Sequence, residues 1–157
     1  MKQYTLNIGE VATHQGKAQY VCFGLGSCIG LFLSDRVSGL TGAAHILLPD
    51  DERGPDTFGW YNADGAIGEL VRRFQQQGSS LKGLSAKVAG GANTLGAGKT
   101  GARNIESVLG QLRNLNIFIA AADVGGTQSR TVRYETLTGT LTVKRAGEES
   151  GIIFKPK

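Results

Sequence analysis

Two side chains of this sequence, Cys28 and His45, could form a nucleophilic pair if the fold brings them together. The chain has only two cysteines and two histidines. A free thiol with a pKa of about 8.5 is only a few per cent thiolate at neutral pH. An adjacent imidazolium lowers that pKa into the range of about 3.5–7.5. If the two side chains lie close together, we predict nucleophilic catalysis, with Cys28 as the nucleophile and His45 as its base.

The hydrophobic pattern offers a way to bring them together. Residues 29–35 and 40–45 are typical of two strands, and a loop of two or four residues would close them into an antiparallel hairpin. Such a hairpin pairs Gly30 with His45. Cys28 then projects from the same face as His45, because side chains on a strand alternate with period two. A loop of three or five residues would place the two side chains on opposite faces.

The surroundings of Cys28 suggest how a reaction would be supported. The small residues just before it leave the thiol uncovered, and the backbone N–H groups of Gly26 and Ser27 could bind an oxyanion. Arg130 follows a predicted buried strand in a polar loop, which makes it a candidate for substrate contact. Two thiols and one histidine lack a fourth zinc ligand, so we predict no metal. The alternative is a buried structural cysteine and a hydrogen-bonded core histidine.

The elements that must position these residues alternate between strand-like and helix-like stretches. Helical spacing of apolar residues predicts one helix over residues 62–77, with Gly78 as its C-terminal cap, and a second helix that buries Ile105, Val108, Leu109 and Leu112. Strands are predicted at residues 4–8, 18–22, 29–34, 40–46, 84–89, 117–122, 131–135 and 141–145. The fold class is therefore α+β: one domain over residues 1–157, a layered α/β sandwich with a mixed, largely antiparallel sheet and two main helices.

Composition narrows the class of protein. The 157 residues are enough for one domain with a core, and 40% are hydrophobic and 19% charged. A net charge of +4 without a run of five basic residues argues against nucleic-acid binding. The N-terminus resembles no signal peptide, and the longest apolar run, residues 117–122, is far short of the roughly 20 residues of a membrane span. We therefore expect a cytoplasmic protein with free thiols and no membrane insertion.

Five ordered segments carry a resemblance to a known family. They are GLGSCI at 24–29, AAHILLPD at 43–50, KVAGGA at 87–92, GARNI at 101–105 and DVGG at 123–126. Their order resembles that of the CheD family, the chemoreceptor glutamine deamidases of bacterial and archaeal chemotaxis. The likeness extends from about residue 4 to residue 145.

The resemblance implies deamidation of selected glutamines on the helical signalling region of methyl-accepting receptors, without a cofactor. Some members also act as receptor methylesterases, and members often bind CheC, a phosphatase of the response regulator CheY. The family's nucleophile falls on Cys28 and its histidine on His45. Its usual third catalytic residue, a threonine, is replaced here by Cys22, whose thiol is a weaker hydrogen-bonding group. Either the backbone carbonyl of Cys22 still orients His45, or catalysis is slower in this chain.

Two other functions remain open at this point. The segment GAGKT at 96–100 is similar to a P-loop that binds nucleotides, but the motif requires glycine where this chain has Asn93. A non-catalytic module would instead use the glycine-rich loops to dock a receptor or a CheC-type partner. It would bind such a partner and release no ammonia.

Overall fold

The computed structural model describes residues 1–54, 59–94, 98–148 and 151–154. Within these ranges, ten strands and two α-helices follow one another along the chain. The strands are β1 (Lys2–Thr5), β2 (Val11–Gln15), β3 (Ala18–Leu25), β4 (Ile29–Asp35), β5 (Leu40–Ile46), β6 (Leu84–Gly90), β7 (Phe118–Val124), β8 (Arg130–Glu135), β9 (Thr140–Arg145) and β10 (Ile152–Phe154). The helices are α1 (Ala63–Gln76) and α2 (Thr100–Asn114), and a 3₁₀ turn at Leu81–Gly83 precedes β6.

The strands form two five-stranded sheets. The inner sheet has the order β2-β5-β4-β6-β7, and the outer sheet has the order β1-β3-β8-β9-β10. Only the pairs β1–β3 and β6–β7 are parallel among the described strands. One apolar core joins the inner sheet to both helices, and a second core lies between the two sheets. The predicted α+β sandwich with two helices is confirmed, and its strands are divided between two sheets.

The central strands of the inner sheet are buried on both faces. In β4, Leu31 and Leu33 belong to the core against the helices, whereas Phe32 belongs to the core between the sheets. In β5, Ala44 faces the helices and Ala43 faces the outer sheet. This alternation explains why these strands read as nearly continuous apolar runs. It also directs the odd-numbered side chains of β5 toward the outer sheet.

Both helices match the predicted apolar faces. Asn62 caps α1 by accepting a hydrogen bond from the Gly65 amide at 2.7 Å, and α1 ends just before Gly78, whose φ of 92° confirms the predicted cap. In α2, Val108 and Leu112 are fully buried against the inner sheet. Neither of the helices described is long and apolar enough to cross a membrane.

Some elements differ from the sequence prediction at the edges of the sheets. The strands β2 and β10 were not predicted, because β2 is short and polar and β10 has only three residues. The predicted buried strand at residues 117–122 is wrong in its burial. It is β7, an edge strand of the inner sheet on which Phe118 is 46% exposed. The predicted first strand ends earlier, since the chain leaves the outer sheet after Thr5.

Candidate active site

The hairpin of β4 and β5 places Cys28 and His45 as the sequence predicted. Gly30 pairs with His45, and a four-residue loop joins the two strands. Cys28 immediately precedes β4 and packs in the core between the sheets together with Phe32. Both functional side chains are nearly buried, with 8% of Cys28 and 5% of His45 exposed. They therefore lie on the face of the inner sheet that meets the outer sheet.

Cys28 and His45 line one pocket of about 500 Å³ at the end of the sandwich. The segment that connects β1 to β2 forms one wall of this pocket, and the end of β3 forms another. The remaining lining residues are Thr5, Leu6, Asn7, Ile8, Phe23, Gly24 and Tyr61. Ile8 and Phe23 are about half exposed, at 46% and 54%, so the pocket has an apolar rim open to a partner.

A backbone carbonyl determines which nitrogen of His45 is available. The Nδ1 atom lies 2.9 Å from the carbonyl oxygen of Leu6 in a buried contact. A carbonyl only accepts hydrogen bonds, so Nδ1 carries the proton in the neutral ring and Nε2 remains a base. The backbone of His45 is held by the same connection, because its N–H donates to Glu10 and its carbonyl accepts from Gly9. One short segment thus orients the whole residue.

Burial sets the charge state of the pair before substrate arrives. It raises the pKa of the Cys28 thiol above its ordinary value. It also lowers the pKa of His45, although the Leu6 carbonyl and the Glu10 carboxylate act in the opposite direction. Both shifts favour the neutral thiol and the neutral imidazole. These directions give no support to the thiolate–imidazolium pair that the sequence suggested, because desolvation in the pocket opposes both charges.

Backbone contacts from the end of β6 and the two residues after it hold the backbone around Cys28 in place. The Cys28 carbonyl accepts a hydrogen bond from the Gly91 amide at 2.9 Å, and the Gly26 carbonyl accepts one from the Ala92 amide at 2.7 Å. Gly90 has a φ of 111°, and a Cβ atom there would overlap the carbonyl oxygen of Cys28. The bend formed by Gly26 and Ser27 is thereby fixed beside the thiol. Their role as oxyanion donors remains a prediction.

Cys22 lies in the core near Cys28. It is fully buried in β3, opposite Val132 of β8. Burial, and secondarily the charge of Cys28, raises the pKa of its thiol to about 12. The carbonyl that accepts the hydrogen bond from His45 Nδ1 is that of Leu6 rather than that of Cys22. Sequence reasoning missed Leu6, because a contact through the backbone leaves no signature in the residue type.

Arg130 lies outside this pocket. Only 2% of it is exposed, and its guanidinium donates to the carboxylate of Asp123 and to the carbonyl of Gly125. Arg145 binds both oxygens of the same carboxylate at 2.8 Å. These contacts hold the loop after β7. Arg130 is not among the described residues that line the pocket of Cys28 and His45, so its placement gives no support to a substrate contact.

The other expectations concern metals and nucleotides. In the described ranges, no three His, Cys, Asp or Glu side chains are grouped as metal ligands. Gly96 and Ala97 of the P-loop-like segment lie outside the described residues. The strand β6 before that segment pairs parallel with β7 but antiparallel with β4. This mixed sheet differs from the parallel sheet of P-loop proteins.

Comparison with known proteins gives a consistent result. A family model described as CheD chemotactic sensory transduction matches residues 47–145, which is more than half of the chain. A "Chemoreceptor glutamine deamidase CheD" of Thermotoga maritima is 37% identical over 144 residues, covering 90% of this chain and 91% of the relative. Such a match spans Cys28 and His45, which precede the range of the family model.

Two clostridial proteins are also similar, both named "Probable chemoreceptor glutamine deamidase CheD". The one from Clostridium tetani is 32% identical over 158 residues, covering 94% of this chain and 93% of the relative. The one from Clostridium botulinum is 40% identical over 135 residues, covering 79% and 81%. Identity at this level over nearly the full length shows common descent, and the chain therefore belongs to the CheD family.

Proposed function

We propose that this chain is an enzyme that deamidates glutamine side chains of methyl-accepting chemotaxis receptors, converting them to glutamate. The family membership and the names of the relatives support this function. The single observation that carries the chemistry is that Cys28 and His45 line one pocket, with Nδ1 of His45 tied to the Leu6 carbonyl. That bond leaves Nε2 as the base available to the thiol.

The first half of the reaction forms a thioester. Neutral His45 takes the proton of the Cys28 thiol as the sulfur attacks the carboxamide carbon of the bound glutamine. The tetrahedral intermediate carries a negative oxygen. Protonated His45 then gives its proton to the departing amino group, the carbon–nitrogen bond breaks, and ammonia leaves. A neutral His45 suits these steps, because it must accept the thiol proton before it can donate that proton to the leaving amino group.

The second half returns the enzyme to its starting state. His45 takes a proton from water, and the resulting hydroxide attacks the thioester carbonyl. The carbon–sulfur bond breaks, the Cys28 sulfur recovers its proton from His45, and glutamate is released. A receptor methyl ester would follow the same route with methanol as the leaving group. No step requires a cofactor.

Backbone donors beside the thiol stabilise the oxyanion in this proposal. The amides of Gly26 and Ser27 lie in the bend that precedes Cys28, and the bonds from Gly91 and Ala92 hold this bend in place. Donors fixed before the reaction need not reorganise when the charge develops. The loss of one such donor commonly lowers kcat by about 10²–10³.

Cys22 and Arg130 act indirectly in this scheme. Cys22 fills the core next to Cys28, where the high pKa of its thiol makes it a poor nucleophile. Arg130 shapes the loop after β7 through its ion pair with Asp123. The partners in this proposal are the receptors and a CheC-type phosphatase. The cytoplasm is the compartment in which both thiols stay reduced.

Ammonia release from a receptor signalling fragment tests the proposal. Cys28→Ala should abolish release, and His45→Ala should lower it by about 10²–10⁴. His14→Ala is the matched control, since His14 is the only other histidine and contacts Tyr4 outside the pocket. Mass spectrometry of the fragment should locate the glutamines that became glutamates. Receptor binding without ammonia release by the unaltered protein would favour the non-catalytic module instead.

A further inference from the structure

A single buried amide in α2 joins the two chain segments that carry the catalytic pair. Asn104 is fully buried. Its Nδ2 atom donates to the carbonyl of Ser27 at 2.8 Å and to the carbonyl of Leu47 at 3.0 Å. Ser27 directly precedes Cys28, and Leu47 follows His45 by two residues. Both hydrogens of one amide are therefore used to connect these segments.

The helix that presents Asn104 is closely packed behind the site. A Cβ atom at Gly101, in the first turn of α2, would lie 2.5 Å from the carbonyl oxygen of Gly91. Gly91 is the residue whose amide bonds to the carbonyl of Cys28. Further along α2, Val108 and Leu112 anchor the helix in the core against the inner sheet. Asn104 is thus held by a rigid element rather than by a loop.

The orientation of the amide is determined by its partners. Two carbonyl oxygens face Nδ2, so exchanging the nitrogen and the oxygen would place three acceptors together. In this orientation, Oδ1 is buried and has no hydrogen-bond partner in the part of the chain that the structure describes. A buried acceptor without a donor is destabilising. The Asn104 amide therefore places two donors between the carbonyls of Ser27 and Leu47.

We propose that Asn104 is a positioning residue, which fixes the distance between the Cys28 thiol and the His45 imidazole by clamping the Ser27 and Leu47 carbonyls together. The inference rests on the proposed deamidase function. Asn104 is not among the described residues that line the pocket, and its amide donates to backbone carbonyls rather than to the Cys28 or His45 side chain. Its removal should therefore alter the rate of the chemical step and leave substrate binding nearly unchanged.

The first experiment compares Asn104→Ala with Val108→Ala, one turn later on the same helix and equally buried. Both variants remove buried contacts of α2, but of the two residues only Asn104 donates hydrogen bonds to the segments that carry Cys28 and His45. We expect Asn104→Ala to lower kcat for ammonia release by about 10²-fold, the usual effect of a misplacement of about 1 Å. Its KM should stay within about twofold, as should both constants of Val108→Ala. An unchanged kcat in Asn104→Ala, or an equal loss in Val108→Ala, would overturn the proposal.

A double-mutant cycle separates positioning from general destabilisation. Once His45 is replaced by alanine, the distance between thiol and imidazole no longer matters. Adding Asn104→Ala to His45→Ala should therefore lower the single-turnover rate by much less than it lowers that of the unaltered protein. Equal factors in both backgrounds would mean that Asn104 acts only on the fold.

A measurement without substrate keeps this inference separate from the proposed function. The rate of Cys28 alkylation by iodoacetamide, followed against pH, reports the thiolate and its neighbouring imidazole. The profile of Asn104→Ala should shift toward that of His45→Ala, whereas Val108→Ala should keep the original profile. Asn104→Leu keeps a similar side-chain volume while removing the donors without adding a charge, and it replaces Asn104→Ala if that variant does not fold. An unshifted profile refutes the positioning role. A shifted profile without ammonia release by the unaltered protein refutes only the deamidase function.

Discussion

Replacing Gly90 by alanine should lower kcat as well as the stability of the fold. Gly90 ends β6 with a φ of 111°, a region that residues with a side chain rarely adopt. The added methyl group would overlap the carbonyl oxygen of Cys28. That oxygen accepts the hydrogen bond from Gly91, so the substitution must displace the backbone of Cys28.

The magnitude follows from two contributions. Strained backbone at a residue other than glycine costs roughly 1–3 kcal/mol, and reduced freedom of the unfolded chain offsets about 0.4–1 kcal/mol of this. Displacing the Cys28 carbonyl leaves the Gly91 amide unpaired, which costs about 1–3 kcal/mol more. We expect a loss of about 1–6 kcal/mol for Gly90→Ala, or a fall in Tm of about 2–24 °C at this chain length. A displacement of about 1 Å should also lower kcat by about 10²-fold.

Gly78→Ala provides the matched control for this prediction. Gly78 has a similar φ of 92°, but a Cβ atom there would meet nothing within 4 Å. Gly78→Ala should lose only the stability that the backbone strain costs, and its kcat should be unchanged. Thermal unfolding and ammonia release would be measured for both variants. Equal Tm values for the two, with full activity in Gly90→Ala, would refute the reasoning about the Cys28 carbonyl.

Three further predictions concern pH, substrate binding and stability. Since burial lowers the pKa of His45, the unfolded chain binds a proton at this residue more readily than the folded chain does. The free energy of unfolding should therefore fall as the pH drops below about 6.5. Urea unfolding at several pH values should show a weaker fall in His45→Gln. Phe23→Ser should raise KM about 10-fold with little change in kcat, because the rim loses apolar area that a bound receptor would cover. Val37 is 90% exposed and lies outside the pocket, so Val37→Ser should leave KM unchanged. An equal rise in KM in both variants would contradict a role for the rim. Arg130→Ala should lose about 1.5–3 kcal/mol of stability, because the Asp123 carboxylate loses one charged partner and keeps Arg145. A raised KM at full stability would favour direct substrate contact instead.

The sequence predicted the relative placement of Cys28 and His45, on the condition that a loop of two or four residues joins the two strands. Strand alternation and the length of one loop determine which residue of β5 pairs with Gly30, and both are local properties of the chain. The same holds for the apolar faces of α1 and α2, which follow from helical periodicity. The ordered motifs around Cys28 and His45 also predicted the CheD family, which the relatives confirmed.

Only the tertiary structure decided how that pair is oriented and charged. The Leu6 carbonyl and the Asn104 amide reach the site from distant parts of the chain, and no local sequence pattern predicts either contact. The pKa directions of Cys28 and His45 depend on how much water the two packed sheets exclude. The buried ion pair of Arg130 likewise joins β8 of the outer sheet to Asp123 in β7 of the inner sheet. Periodicity reports which face a side chain occupies, whereas desolvation and long-range hydrogen bonds exist only once the layers have packed.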